Sequence, residues 1–178
     1  MTVTSSRFDA FRPSRLFLGL AGSLLLAACA SEPETRPCPQ VVVVSDASRQ
    51  VKFSGQGRDL TDVLFEASIS AGRLVCDYDD NELDWDLEVQ VVAARGPAND
   101  DRLANLSYFV ALARTDQTIL QRDSFDLAIP FPGNRTRVSA LEEVGQVITL
   151  QGQEHGGNYR IYVGLDLTRE EMEYNRAN

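Results

Sequence analysis

Three cysteines, one histidine and an acidic run are the residues of this 178-residue chain whose types could do chemistry. The acidic run is the most suggestive by spacing. Asp77, Asp79 and Asn81 stand at positions 1, 3 and 5 of a frame that reaches Glu88 at position 12, the oxygen-ligand spacing of an EF-hand calcium loop. Position 6, where the sharp turn of such a loop needs glycine, is Glu82, and no helical segment flanks the run. Leu83 to Val91 alternates as a strand instead, so the carboxylates read as its wet face and no metal is expected. His155 lies in the turn "GQEHGGN", where exposure is the default. No G-x-S-x-G elbow offers it a serine nucleophile. Acidic residues are numerous enough for two-carboxylate glycoside chemistry, but no spacing singles out a pair. The expectation is a protein with no catalytic residues, no metal site and no cofactor.

The cysteines divide by position. Arg7, Arg12 and Arg15 precede "LFLGLAGSLLLAA", an uncharged apolar run of 13 residues from Leu16 to Ala28. A membrane span needs roughly 20 residues, and a basic segment before a shorter apolar run is the layout of an export signal. The run ends in Leu26-Ala27-Ala28-Cys29, which resembles the lipobox of bacterial lipoproteins. That resemblance covers the signal and its junction. It implies cleavage before Cys29, with acyl chains on its sulfur and on the new amino terminus. One acyl chain holds a protein only marginally, whereas several on one residue make a durable anchor. Ala30 occupies the position where Asp often retains Gram-negative lipoproteins in the inner membrane. Its presence implies the outer membrane, facing the periplasm. The polar, proline-rich "SEPETRP" reads as a semi-extended tether. The expected organisation is a signal over 1–28, a lipidated cysteine and tether over 29–39, and one domain over 40–178.

Removing 1–28 takes away three Arg and one Asp, leaving 150 residues with 14 basic and 25 acidic side chains, a net charge of −11. Lys52 is the only lysine, so no basic patch exists for phosphate backbones, and nucleic acid is set aside as a partner. Cys38 and Cys76 remain as an even pair in an exported chain, which reads as a disulfide; two unpaired buried thiols are the alternative. Two cysteines and the distant His155 give no zinc spacing.

The elements that must position these residues are mostly strands. "QVVVVSD" and "VKFSG" are short β-branched or apolar runs. "DVLFEASIS" leads through Ala71-Gly72 into "RLVCDYD", predicting a hairpin with Gly72 at its turn and Cys76 on its second strand. In "NELDWDLEVQVVAAR", Leu83, Trp85, Leu87, Val89 and Val91 alternate with polar residues, predicting a strand with one buried face. "GPANDDR" is a loop, and "LSYFVALARTDQTILQRDSFDLAIPF" reads as two strands joined at Thr115-Asp116-Gln117. "RTRVSALEEVGQVITLQ" is ambiguous between strand and one helical turn at "ALEEV". "YRIYVGLDL" is a last strand with Tyr159, Ile161, Val163 and Leu165 inward, and Thr168 with Glu171 forms a capping box before a short helix. Tyr108, Phe109, Phe125 and Phe131 suit core packing; Pro130 and Pro132 suit a sheet edge.

Seven or eight strands with almost no helix predict an all-β, immunoglobulin-like β-sandwich with a short C-terminal helix, a lipocalin-like barrel being the rival. Trp85 follows both Cys38 and Cys76, so the likeness is to that architecture and not to the immunoglobulin family. The ending "YRIYVGLDLTREEMEYNR" is similar to that of small Gram-negative envelope lipoproteins, a likeness that lends no activity. The functional expectation is a non-enzymatic interaction or structural module of the envelope. It would bind an envelope protein through sheet edges or the loop "RGPANDDR". The alternative is a carrier or sensor holding a small apolar or glycan ligand in a cavity between its sheets.

Overall fold

Apolar residues at every second position bury only when strands stack face to face, and this chain folds into two such layers. The computed structural model describes residues 36–177. Among these residues eight strands form two four-stranded sheets. The first has β1 (Gln40–Val43), β8 (Tyr159–Leu165), β5 (Leu103–Arg114) and β6 (Ile119–Pro130), in that spatial order. The second has β2 (Arg49–Phe53), β3 (Val63–Asp79), β4 (Glu82–Arg95) and β7 (Arg137–Thr149). All neighbours are antiparallel except β1 and β8. Among the described residues one α-helix, α1 (Arg169–Ala177), follows β8. This is the expected all-β sandwich.

The core follows the alternation. Leu83, Trp85, Leu87, Val89 and Val91 of β4 meet Tyr159, Ile161, Val163 and Leu165 of β8, and none is more than 1% exposed. Each such side chain stabilises the fold by roughly 1.5–3 kcal/mol relative to exposure. Tyr108 stacks on Phe125 at 5.1 Å between ring centres, and Phe131 is fully buried. Phe109 departs from the expected core role. It lies on the outer face of β5, its ring against Gly164 and beneath the Arg122 guanidinium at 4.5 Å. Pro130 ends β6, an edge strand, as its missing N–H favours.

Two local expectations change. Gly72 is not a hairpin turn: β3 runs unbroken from Val63 to Asp79, with a register shift against β4 between Ala71 and Leu74. The turn is at Asp80-Asn81, where Asp80 takes a left-handed φ of 47°, a conformation Asp tolerates. Gly72 sits in the bulged stretch because a Cβ there would lie 2.6 Å from Glu88 Oε1. Cys76 therefore belongs to the far half of one long strand. The ambiguous segment is β7, all strand, paired without interruption to β4 from Arg137↔Ala94 to Thr149↔Glu82. Continuous pairing overrides the helical preference of "ALEEV".

At the C-terminus the capping box forms as expected. Glu171 Oε2 accepts from Thr168 N at 2.9 Å, and Thr168 Oγ1 accepts from Glu171 N at 3.3 Å. Helix α1 packs on β2 through Phe53–Tyr174, ring centres 5.4 Å apart, and the Lys52–Glu171 ion pair at 3.1 Å.

Cys38 and Cys76 are bridged, with Cα atoms 5.9 Å apart and a sequence separation of 38. A loop of that length constrains the unfolded chain by about 3–4 kcal/mol. The paired Cys38→Ala, Cys76→Ala variant should lose that much in a denaturant titration while keeping its far-ultraviolet spectrum. A loss below about 1 kcal/mol would show that the bridge is not a main staple of the fold.

Candidate interaction surface

The residues singled out by type are dispersed by the fold. Cys29 lies outside the described residues. The bridge takes up Cys38 and Cys76, and a knot of polar contacts surrounds it. Tyr78 Oη donates to the Pro37 carbonyl and accepts from Gly156 N, both at 2.6 Å. Arg36 stacks over the Tyr78 ring at 5.3 Å. His155 is half-buried rather than exposed, because its ring caps a short turn: Nδ1 accepts from Gly157 N at 3.1 Å.

Beside it, Glu154 gathers three donors. Arg114 donates at 2.5 Å, Tyr159 Oη at 2.7 Å and Gln151 N at 3.0 Å. The Arg114 hydrogen bond first, then those from Tyr159 and Gln151, hold the Glu154 carboxyl at about 2 against an ordinary 4.5. Tyr159 is raised, by burial and then by its bond to Glu154.

The calcium-like spacing does not converge. Asp77 and Asp79 lie on the outer face of β3, Asn81 is in the turn, and Glu88 is on β4. Asp77 faces Asp84, so four strand residues, roughly 13 Å, separate it from Glu88 along the ladder. Among the described residues no group of three or more His, Cys, Asp or Glu is placed to hold a metal.

The same carboxylates make a different feature. Across the outer face of the second sheet, Asp77 is opposite Asp84, Asp79 opposite Glu82 and Glu88 opposite Glu143. Among the described residues none of the six takes part in an ion pair. Two glycines make room for carboxylates of this face, those of Asp86 and Glu88. Asp86 Oδ1 lies 2.4 Å from where a Gly145 Cβ would be, as Glu88 lies over Gly72, so both carboxylates rest flat on the sheet. Like charges directly opposite one another destabilise a sheet. The face thus carries an electrostatic cost and a strong negative potential.

The loop from Gly96 to Arg102, between β4 and β5, is a second acidic display, held rigidly. Gly96 N and Ala98 N donate to the carbonyls of Leu64 and Val63 at 2.8 and 3.0 Å. The Arg95 guanidinium clamps the Asn99 carbonyl at 2.6 and 2.9 Å, and Asn99 Nδ2 donates to Leu103 O at 2.9 Å. Arg102, at a left-handed φ of 56°, donates twice to the Phe131 carbonyl. On this frame Asp100 and Asp101 stand exposed beside a cleft of about 400 Å³ that Lys52, Ser54 and Asn105 also line. A second cleft, about 290 Å³, opens between β2 and α1 and is lined by Phe53, Arg58, Glu171 and Tyr174.

The loop was readable from its composition. Its rigidity was not, since it depends in part on Arg102 clamping the distant Phe131 carbonyl. The like-charged ladder was also missed, because Glu143 enters it from another part of the chain. Compared with protein families, curated proteins and solved structures, the chain matches none of them.

Two outcomes test these electrostatics. Glu88→Gln removes a like-charged pair and should stabilise the fold by about 0.2–1 kcal/mol in denaturant titration at low salt. Glu154 has a depressed folded pKa, so its contribution is complete above its ordinary value and is lost as pH falls from 4.5 to about 2. Glu154→Gln should therefore unfold at lower denaturant than the parent at pH 7, and the gap should close by pH 2. A gap independent of pH would count against this role.

Proposed function

We propose that the chain is a lipid-anchored periplasmic lipoprotein, held in the outer membrane by Cys29. Its β-sandwich would act as a non-enzymatic protein-interaction module of the cell envelope. The observation that carries the second half of this reading is the filled interior. Trp85, Phe131 and Tyr159, the largest fully buried residues, are each 1% exposed or less, and the described clefts open at the surface. A carrier needs a cavity between the sheets, whereas an interaction module works with a packed core. The displayed surfaces are carboxylate-rich and rigidly framed, which suits an envelope protein presenting lysines and arginines. The lipid half rests on Leu26-Ala27-Ala28-Cys29 alone.

Each half has its own test. Cys29→Ser should move the protein from the membrane fraction to the soluble periplasmic fraction; retention in the membrane would reject the anchor. Crosslinking in intact cells, followed by mass spectrometry, should recover a partner with a basic contact surface. Recovery should fall several-fold in the Asp100→Asn, Asp101→Asn variant, without loss of thermal stability. Copurification of a lipid or glycan with no protein partner above background would replace this reading with the carrier.

A further inference from the structure

The second sheet has two edges, and they are treated differently. Strand β2 is packed by α1, whereas β7 presents its outer edge along 13 residues with no Pro, no bulge and no backbone partner among the described residues. Long, regular, unprotected edges are ready templates for another strand. The rival long edge, β6, ends in Pro130, and its outward charges are engaged: Arg122 with Asp166, Asp126 with Ser107.

The outward side chains of β7 identify the strand that fits. Leu141 is 55% exposed and Val147 57%, two large apolar residues on a face otherwise rich in carboxylates. They stand three residues before and three residues after Val144. We propose that β7 pairs antiparallel with β7 of a second copy about a two-fold axis through Val144, joining two sandwiches through one continuous eight-stranded sheet. In that register Leu141 of each copy lies opposite Val147 of the other, so all four apolar side chains lose water together. Glu143 then faces Gly145, which has no side chain, and on the inner face Glu142 faces the neutral Gln146.

Neighbouring registers fail on charge or polarity. An axis through Glu143 sets that residue against itself, and one through Glu142 does the same on the inner face, both unfavourable. An axis through Gly145 leaves Leu141 against Thr149 and Val147 against Glu143. Among the axes from Glu142 to Gly145, only the one at Val144 buries both Leu141 and Val147 against an apolar partner and keeps like charges from direct opposition. The inference concerns self-association and stands apart from the envelope partner proposed above.

Residues opposite one another in an antiparallel pair have Cβ atoms about 4.5–5.5 Å apart, close enough for a disulfide after small shifts. The test uses the full-length chain, detergent-solubilised, carrying Leu141→Cys, Val147→Cys or both. On mild oxidation the double variant, and an equal mixture of the two single variants, should shift to twice the monomer mass on a non-reducing gel. Either single variant alone should remain monomeric, because its own cysteines lie far apart across the axis. A double variant that stays monomeric, or single variants that crosslink as readily, would overturn the proposal. Sedimentation of the parent gives an independent reading. Its dimer fraction should rise with salt, which screens the two acidic faces brought side by side, and should be lost in Val147→Lys. A parent that sediments as a monomer at every salt concentration would also overturn it.

Discussion

Strand β4 is hydrogen-bonded on both sides along nearly its whole length, to β3 from Glu82 to Arg95 and to β7 from Glu82 to Ala94. The other features of the second sheet are consequences of that double ladder. Its period of two sends Leu83, Trp85, Leu87, Val89 and Val91 into the core and Asp84, Asp86 and Glu88 out to solvent. A slip of one residue on either side would exchange those two sets, burying carboxylates and exposing Trp85. The apolar face therefore fixes the register. Once fixed, it obliges Asp84 to meet Asp77 and Glu88 to meet Glu143, whatever the electrostatic cost.

That cost is small beside the burial that imposes it. Five fully buried large side chains on one strand outweigh a few like-charged pairs in water, each worth less than about 1 kcal/mol. The sheet also softens the penalty by leaving Gly72 and Gly145 where carboxylates can lie flat. Positive charge is spent elsewhere: Lys52 on α1, Arg114 on Glu154, Arg95 and Arg102 on loop carbonyls.

Much of this was legible in the sequence, for reasons that can be named. Strands β4 and β8 bury one face completely, so their alternation is clean; the Thr168–Glu171 box is local and needs no partner. Gly72 misled because a glycine inside a strand pattern signals either a turn or a close approach, and only the position of Glu88 decides between them. Strand β7 was ambiguous because it is an edge, with Glu142 and Gln146 among its inward positions, which blurs the period. What could not be read was whatever depends on two distant stretches meeting: the Glu88–Glu143 pair, the Arg102 clamp on Phe131, and the Tyr78 hydroxyl between Pro37 and Gly156.

The link between Cys38 and Cys76 has a mechanical consequence. Cys38 precedes β1, a strand of four residues held by parallel pairing to β8. Without the bridge, tension on the N-terminal segment would act first on that short pairing and peel it open one bond at a time. With it, the load passes through a covalent path into the far half of β3, with Tyr78 and Pro37 bonded beside the junction. There it is shared along the β3–β4 ladder of 13 residue pairs, where many bonds must yield together. The bridge thus gives a pull on the N-terminal side a second route into the sheets besides the four residues of β1.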